Sequence, residues 1–147
     1  MTLIAEIKEQ LESAMRDGDA PRRDALRLIL SSLQGAEKEL QRQLHEDEEL
    51  QVLQRERKKR LEAADAFRSA GREEQAQKEE DELDVLEEFM PEPLSEADLE
   101  EIVDDVIAEV GATSMRDIGR VMADVMPQVA CRADGSAVSQ LVREKLA

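Results

Sequence analysis

Aromatic residues are almost absent from this sequence. Its 147 residues include no tryptophan, no tyrosine and two phenylalanines. Modules that bind single-stranded nucleic acid stack bases on exposed aromatic rings, so this scarcity excludes that class. The core must be built from leucine, isoleucine, valine, methionine and alanine. That composition favours helices, and no strand pattern appears in the chain.

Cysteine and histidine each occur once, as Cys131 and His45. A single cysteine forms no internal disulfide, and this pair cannot complete a Cys/His zinc site. The sequence also has no phosphate-binding glycine loop, no histidine paired with a nucleophile and no Glu-x-x-His pair for a di-metal bundle. We therefore expect no metal, no cofactor and no self-sufficient catalytic site.

Long apolar runs are missing as well. No run approaches the roughly 20 residues that span a bilayer, and Glu6 falls too early for a secretory leader. The single cysteine agrees with a reducing compartment. We expect a cytoplasmic protein without a membrane partner.

Charge is abundant and mostly negative. Charged residues make up 38% of the chain and the net charge is −16, divided between −9 over residues 1–90 and −7 over residues 91–147. Such a field repels phosphate and anionic lipid, so any nucleic-acid contact must be local and sensitive to salt. We expect no binding to DNA.

Residues 1–90 have the apolar periodicity of about four helices. A first helix should end near Asp17-Gly18, and a second should begin at Asp19 with Pro21 in its first turn. A third should run from about Asp47 to Ala70, and an acidic fourth from Arg72 to Phe89. One long helix from Pro21 to Ala70 is an alternative, because neither glycine nor proline occurs between Gln43 and Glu46. Gly35 is interpreted as a point of close packing.

The segment from Met90 to Leu94 contains two prolines, which remove two backbone donors and favour extended conformations. We place a boundary there, between an N-terminal helical hairpin or bundle (1–90) and a C-terminal module of three short helices (91–147). In this module Gly111 should end the first helix, Pro127 should close the second, and Asp134-Gly135-Ser136 should begin the last. The predicted fold is all-α with two subdomains.

The third predicted helix carries a basic run. Its cations are Arg55, Arg57, Lys58, Lys59 and Arg60. One interpretation is a solvated face that pairs with the acidic fourth helix across a hairpin. The other is a patch that contacts phosphate.

A second candidate site lies in the C-terminal module. Gly119 inside a helix costs about 1 kcal/mol relative to alanine, which suggests a close backbone approach. Arg120, Arg132 and the N–H groups at Gly135 and Ser136 offer donors for an anion. These residues form a candidate nucleic-acid site. In the alternative, the neighbouring Asp134 only caps the last helix and orders the loop.

Several motifs, in order, resemble the YqeY family, whose members are similar to the helical and tail domains of GatB, a subunit of the tRNA-dependent amidotransferase. The motifs are Arg23 to Ile29, Arg57 to Arg60, Glu80 to Leu86, Met90 to Ser95, Ala108 to Ala112, Asp117 to Met122, Met126-Pro127 and Arg132 to Gly135. Two residues depart from the family pattern: Ile118 replaces methionine, and Cys131 replaces glycine. If that glycine position requires positive φ, Cys131 strains the loop.

The resemblance implies two helical subdomains and a role linked to transamidation of misacylated tRNA with glutamine as nitrogen donor. In GatB-like proteins the tail contacts tRNA, and a separate, larger domain activates the substrate carboxylate. This chain lacks that domain, so a family label of carbon–nitrogen ligase describes an association. The expected function is a tRNA-binding accessory module. The alternative is a helical adaptor that binds a protein partner without RNA.

Overall fold

The computed structural model describes residues 1–147, and it confirms the all-α prediction. It contains seven α-helices, one 3₁₀ turn at Met115–Asp117 and no strand. The helices are α1 (Leu3–Asp17), α2 (Ala20–Leu40), α3 (Glu46–Ser69), α4 (Glu73–Glu87), α5 (Glu96–Val110), α6 (Ile118–Val129) and α7 (Gly135–Leu146). None of the seven helices combines the length and the apolar character that a membrane-spanning segment requires.

The chain divides into two compact units, Met1–Met90 and Pro91–Ala147. Each unit has its own apolar core. The first core is built from α1 to α4 around Ile7, Leu26, Leu33, Leu53 and Leu86. The second is built from α5 to α7, and its fully buried residues are Val103, Val106, Val121, Val125, Val129, Val138 and Val142.

The predicted end of α1 and the predicted start of α2 are confirmed. Gly18 ends α1 in the left-handed region at φ +68°, which glycine adopts without steric cost. The Asp19 carboxylate then accepts the N–H of Arg22 at 3.2 Å, and Pro21 lies in the first turn of α2. The two helices are thereby joined by a tight turn.

The alternative of one long helix from Pro21 to Ala70 is wrong, because the helix breaks after Leu40. Gln41 adopts a left-handed φ of +56°, and Glu48 stabilises the break by accepting the His45 N–H at 2.9 Å. The Arg42 guanidinium donates to both Glu48 oxygens and holds the pKa of that carboxyl at about 2. Residue 45 is thus the N-cap of α3, two residues before the expected Asp47.

Two local interpretations are also corrected. A Cβ built on Gly35 would meet no atom within 4 Å, so this glycine is not a point of close packing. Pro127 does not close α6, which continues to Val129. Proline is tolerated there because it lies within the last turn and interrupts a single backbone bond. The Gln128 side chain donates to the Asp124 carbonyl in the same turn.

The separate cores predict that each unit folds alone. Polypeptides 1–90 and 91–147 should both retain helical circular dichroism and unfold cooperatively on heating, because neither core draws residues from the other unit. Limited proteolysis of the whole chain should cut first between Met90 and Leu94. A first cut inside α5, or a fragment without a cooperative transition, would contradict this.

Candidate anion-binding surfaces

The basic run on α3 faces the acidic helix α4. Arg57 Nε lies 3.3 Å from Glu87, and Arg60 lies 3.3 Å from Glu79 and 3.8 Å from Glu82. The antiparallel arrangement of α3 and α4 produces this register, since the two helices are joined by a turn at residues 70–72. Carboxylates of the hairpin therefore already pair with these cations.

Lys59 lies 3.6 Å from Glu56 within α3. Of the five basic residues, Arg55 and Lys58 alone are exposed and have no ion pair. Two unpaired cations beside an acidic helix make a weak site for phosphate. The structure thus contains the pairing between the basic run of α3 and the acidic helix α4 that the first sequence interpretation describes.

In the second unit, helix α6 separates the two arginines of the candidate site. Arg120 is in the first turn of α6, and Arg132 follows its last residue by three positions. From Arg120 to Val129 the helix rises about 14 Å, and the non-helical residues 130 and 131 then lead to Arg132. The structure therefore does not bring Arg120 and Arg132 into one pocket.

Arg120 is held by its own helix start. Its Nη2 lies 3.0 Å from Asp117 and 3.4 Å from the Val110 carbonyl. Asp117 also accepts the N–H groups of Thr113 and Ser114, and these bonds, with Arg120, lower its pKa. Because 62% of the Arg120 side chain is exposed, it remains accessible from solvent.

Gly119 is not buried against another backbone. It is exposed, and a Cβ built on it would meet no atom within 4 Å. The inference of a close approach within this chain is therefore wrong. The packing of this unit gives no reason for glycine at this position.

Arg132 fixes the linker segment against the α6–α7 loop. Its Nε donates to the Glu92 carbonyl at 2.8 Å, while the Leu94 N–H donates to the Arg132 carbonyl at 2.9 Å. No carboxylate pairs with Arg132. The residue thus combines a structural role with an uncompensated positive charge.

The start of α7 lacks a side-chain cap. Asp134 occupies the N-cap position, as the alternative interpretation expects, but its carboxylate accepts no capping hydrogen bond. Gly135 and Ser136 occupy the first turn, and a Cβ on Gly135 would meet only Met126 Cε at 3.9 Å, an ordinary contact. Donor N–H groups of this turn are thus available to an external acceptor.

A shallow groove extends from this helix start along one face of α7. It is lined by Gly135, Ser136, Ser139, Gln140 and Arg143. Sequence reasoning missed Arg143, which makes no ion pair. The sequence did contain a signal for this residue: Arg143 follows Ser136 by seven positions, which places both on one face of a helix.

One group of possible metal ligands lies in the first unit. Atoms of His45, Asp47 and Glu48 come within 4.8 Å of one another at the start of α3. Arg42 already occupies both Glu48 oxygens, and His45 and Asp47 are exposed. This arrangement suits a helix start better than a cation site.

Comparison with known proteins identifies the family. The model of the family described as Yqey-like protein matches residues 4–146. The chain belongs to the YqeY family. It is also 26% identical over 145 residues to Altered inheritance of mitochondria protein 41, mitochondrial, of Pyrenophora tritici-repentis (strain Pt-1C-BFP). That similarity covers 97% of this chain and 80% of the relative.

The loop before α7 is strained in this YqeY protein. Ala130 and Cys131 have consecutive left-handed φ values of +49° and +64°. Glycine adopts such angles readily, whereas other residues pay about 1 kcal/mol or more. The position where the resemblance implies glycine therefore does require positive φ.

Replacing Cys131 should test this strain. We expect Cys131→Gly to raise the free energy of unfolding by about 0.5–1 kcal/mol, because relief of the left-handed Cβ outweighs the added entropy of the unfolded chain. Cys131→Ala keeps the Cβ and removes the thiol, so it serves as the control and should give no gain. Urea denaturation measures both. A Cys131→Gly protein less stable than Cys131→Ala would contradict the account.

Proposed function

We propose that this chain is a tRNA-binding accessory protein of glutamine-dependent amidotransfer, and that it contacts tRNA phosphates at the start of α7. The observation that supports this most is the uncapped first turn of α7, with Arg132 before it and Arg143 along the same helix. Backbone N–H groups at a helix N-terminus and arginine side chains are the donors that phosphate prefers.

Electrostatics favours this surface over the α3 basic run. Carboxylates pair with Arg57, Lys59 and Arg60, whereas Arg132 and Arg143 have no such partner. The chain carries a net charge of −16, so phosphate is attracted only where cations and free donors are close together. Binding should therefore be weak in high salt.

The resemblance to the GatB tail supports an accessory role. In GatB-like proteins the tail contacts tRNA, and a different domain carries out the chemistry. Nothing in this chain resembles that domain, so the ligase label is proposed here as an association. We place the protein in the cytoplasm, although the relative from Pyrenophora is named as a mitochondrial protein.

The test is binding of deacylated tRNA over a range of salt concentrations. Arg132→Ala with Arg143→Ala should lower affinity and flatten the log–log salt dependence by roughly one unit per lost phosphate contact. The matched control is Arg16→Ala with Arg27→Ala, which removes two unpaired arginines from the first unit. This control should bind as the unchanged protein does.

Three outcomes would overturn the proposal. If Arg55→Ala with Lys58→Ala abolishes binding and the α7 variant does not, α3 is the RNA surface. If Arg120→Ala alone removes all binding, the start of α6 is the site. If the unchanged protein binds no tRNA at low salt, the helical adaptor without RNA replaces this function.

A further inference from the structure

A groove on the first unit lies between the start of α2 and one face of α4. It holds about 740 Å³ of space open to solvent. The lining comes from two stretches of chain and is Asp19, Ala20, Pro21, Arg22, Asp24, Glu74, Gln77, Lys78, Asp81, Glu82 and Val85. None of these residues belongs to the surface at the start of α7.

The lining of the groove includes both apolar and acidic residues. Ala20, Pro21 and Val85 provide the apolar surface. Five carboxylates and two cations line the groove. Two of the carboxylates, Asp24 and Glu82, lie near arginines outside the lining, and the cation Arg22 is occupied by Glu88 at 2.7 Å. The lining therefore keeps a net negative charge beside an apolar surface.

The carboxylates on this face of α4 differ from those on its other side. Glu79 and Glu87 point to α3 and pair with its arginines. Glu74 and Asp81 face the groove without a cationic partner, and Asp81 accepts only the Gln77 side chain at 2.9 Å. Negative charge is thus compensated on one side of α4 and uncompensated on the other.

We propose that this groove docks a basic amphipathic helix of a partner protein. From Glu74 to Val85 the face of α4 rises about 16 Å, the length of three helical turns. An apolar stripe on the partner would cover the apolar lining residues, and flanking lysines or arginines would meet the unpaired carboxylates.

Charge argues against the other occupants. Nucleic acid and anionic membranes carry negative charge, as the acidic residues of the groove do. A second copy of this chain is a poor fit, because the basic residues of its α3 are largely paired with its own carboxylates. The proposal is independent of tRNA binding, which uses the second unit.

The probe is a fluorescent 14-residue peptide of leucine and lysine whose pattern forms a basic amphipathic helix. Glu74→Gln with Asp81→Asn should weaken its binding about fivefold or more. Glu9→Gln with Glu12→Gln removes two exposed, unpaired carboxylates from α1 and should change the affinity less than twofold. In NMR spectra the peptide should shift backbone amides of the groove residues first. The groove variant should keep its affinity for tRNA.

An equal loss of peptide affinity in both variants would mean that the peptide responds only to the net charge of −16, and the proposal would be wrong. Peptide-induced NMR shifts centred outside the groove would also overturn it. Equally tight binding of a matching peptide with glutamate in place of lysine would do the same, since the acidic residues of the groove would then not select a basic partner.

Discussion

The guanidinium of Arg60 lies among three glutamates, and the α3–α4 hairpin depends on that contact. Glu56 and Glu79 are each 3.3 Å from it and Glu82 is 3.8 Å away. All four side chains are largely buried, with exposed fractions of 12 to 21%. Burial raises the pKa of Glu82, and Arg60, followed by Lys78, opposes that shift and favours the ionised carboxylate. Without Arg60, several negative charges would be close together in the interior of the hairpin.

The same pairing determines where each unit can bind a partner. By engaging Arg57 and Arg60, α4 leaves α3 little free positive charge, although α3 contains the most basic stretch of the sequence. Free cations next to free N–H groups occur instead at the start of α7. The opposite face of α4 keeps uncompensated carboxylates over an apolar groove. The acidic helix α4 thus accounts for both proposals. It pairs with the cations of α3, which leaves the start of α7 as the better phosphate surface, and its other face forms the proposed peptide surface.

Much of the fold was predictable because its signals are local. Gly18 and Asp19 act within a few residues, and the two prolines near Met90 stand where the units divide. The candidate site was harder to predict, because it depends on how far apart helix α6 places the residues at its two ends. Arg120 and Arg132 are near in sequence, yet a continuous helix separates them. The groove joins residues 19–24 to residues 74–85, and no sequence pattern shows that contact.

The most direct test of this account is the pH dependence of unfolding for Arg60→Ala compared with Arg57→Ala. At pH 7 Arg60→Ala should lower the free energy of unfolding by about 2–3 kcal/mol, because its glutamates remain ionised, partly buried and without their counterion. Arg57→Ala should lower it by under about 1 kcal/mol, because the Arg57–Glu87 pair is more exposed. In Arg60→Ala the glutamates that lose their counterion should have raised pKa values in the native state. The stability difference from the unchanged protein should therefore shrink as the pH falls and these carboxyls take up protons. Equal losses in both variants, or a deficit that grows on acidification, would contradict the central role of Arg60.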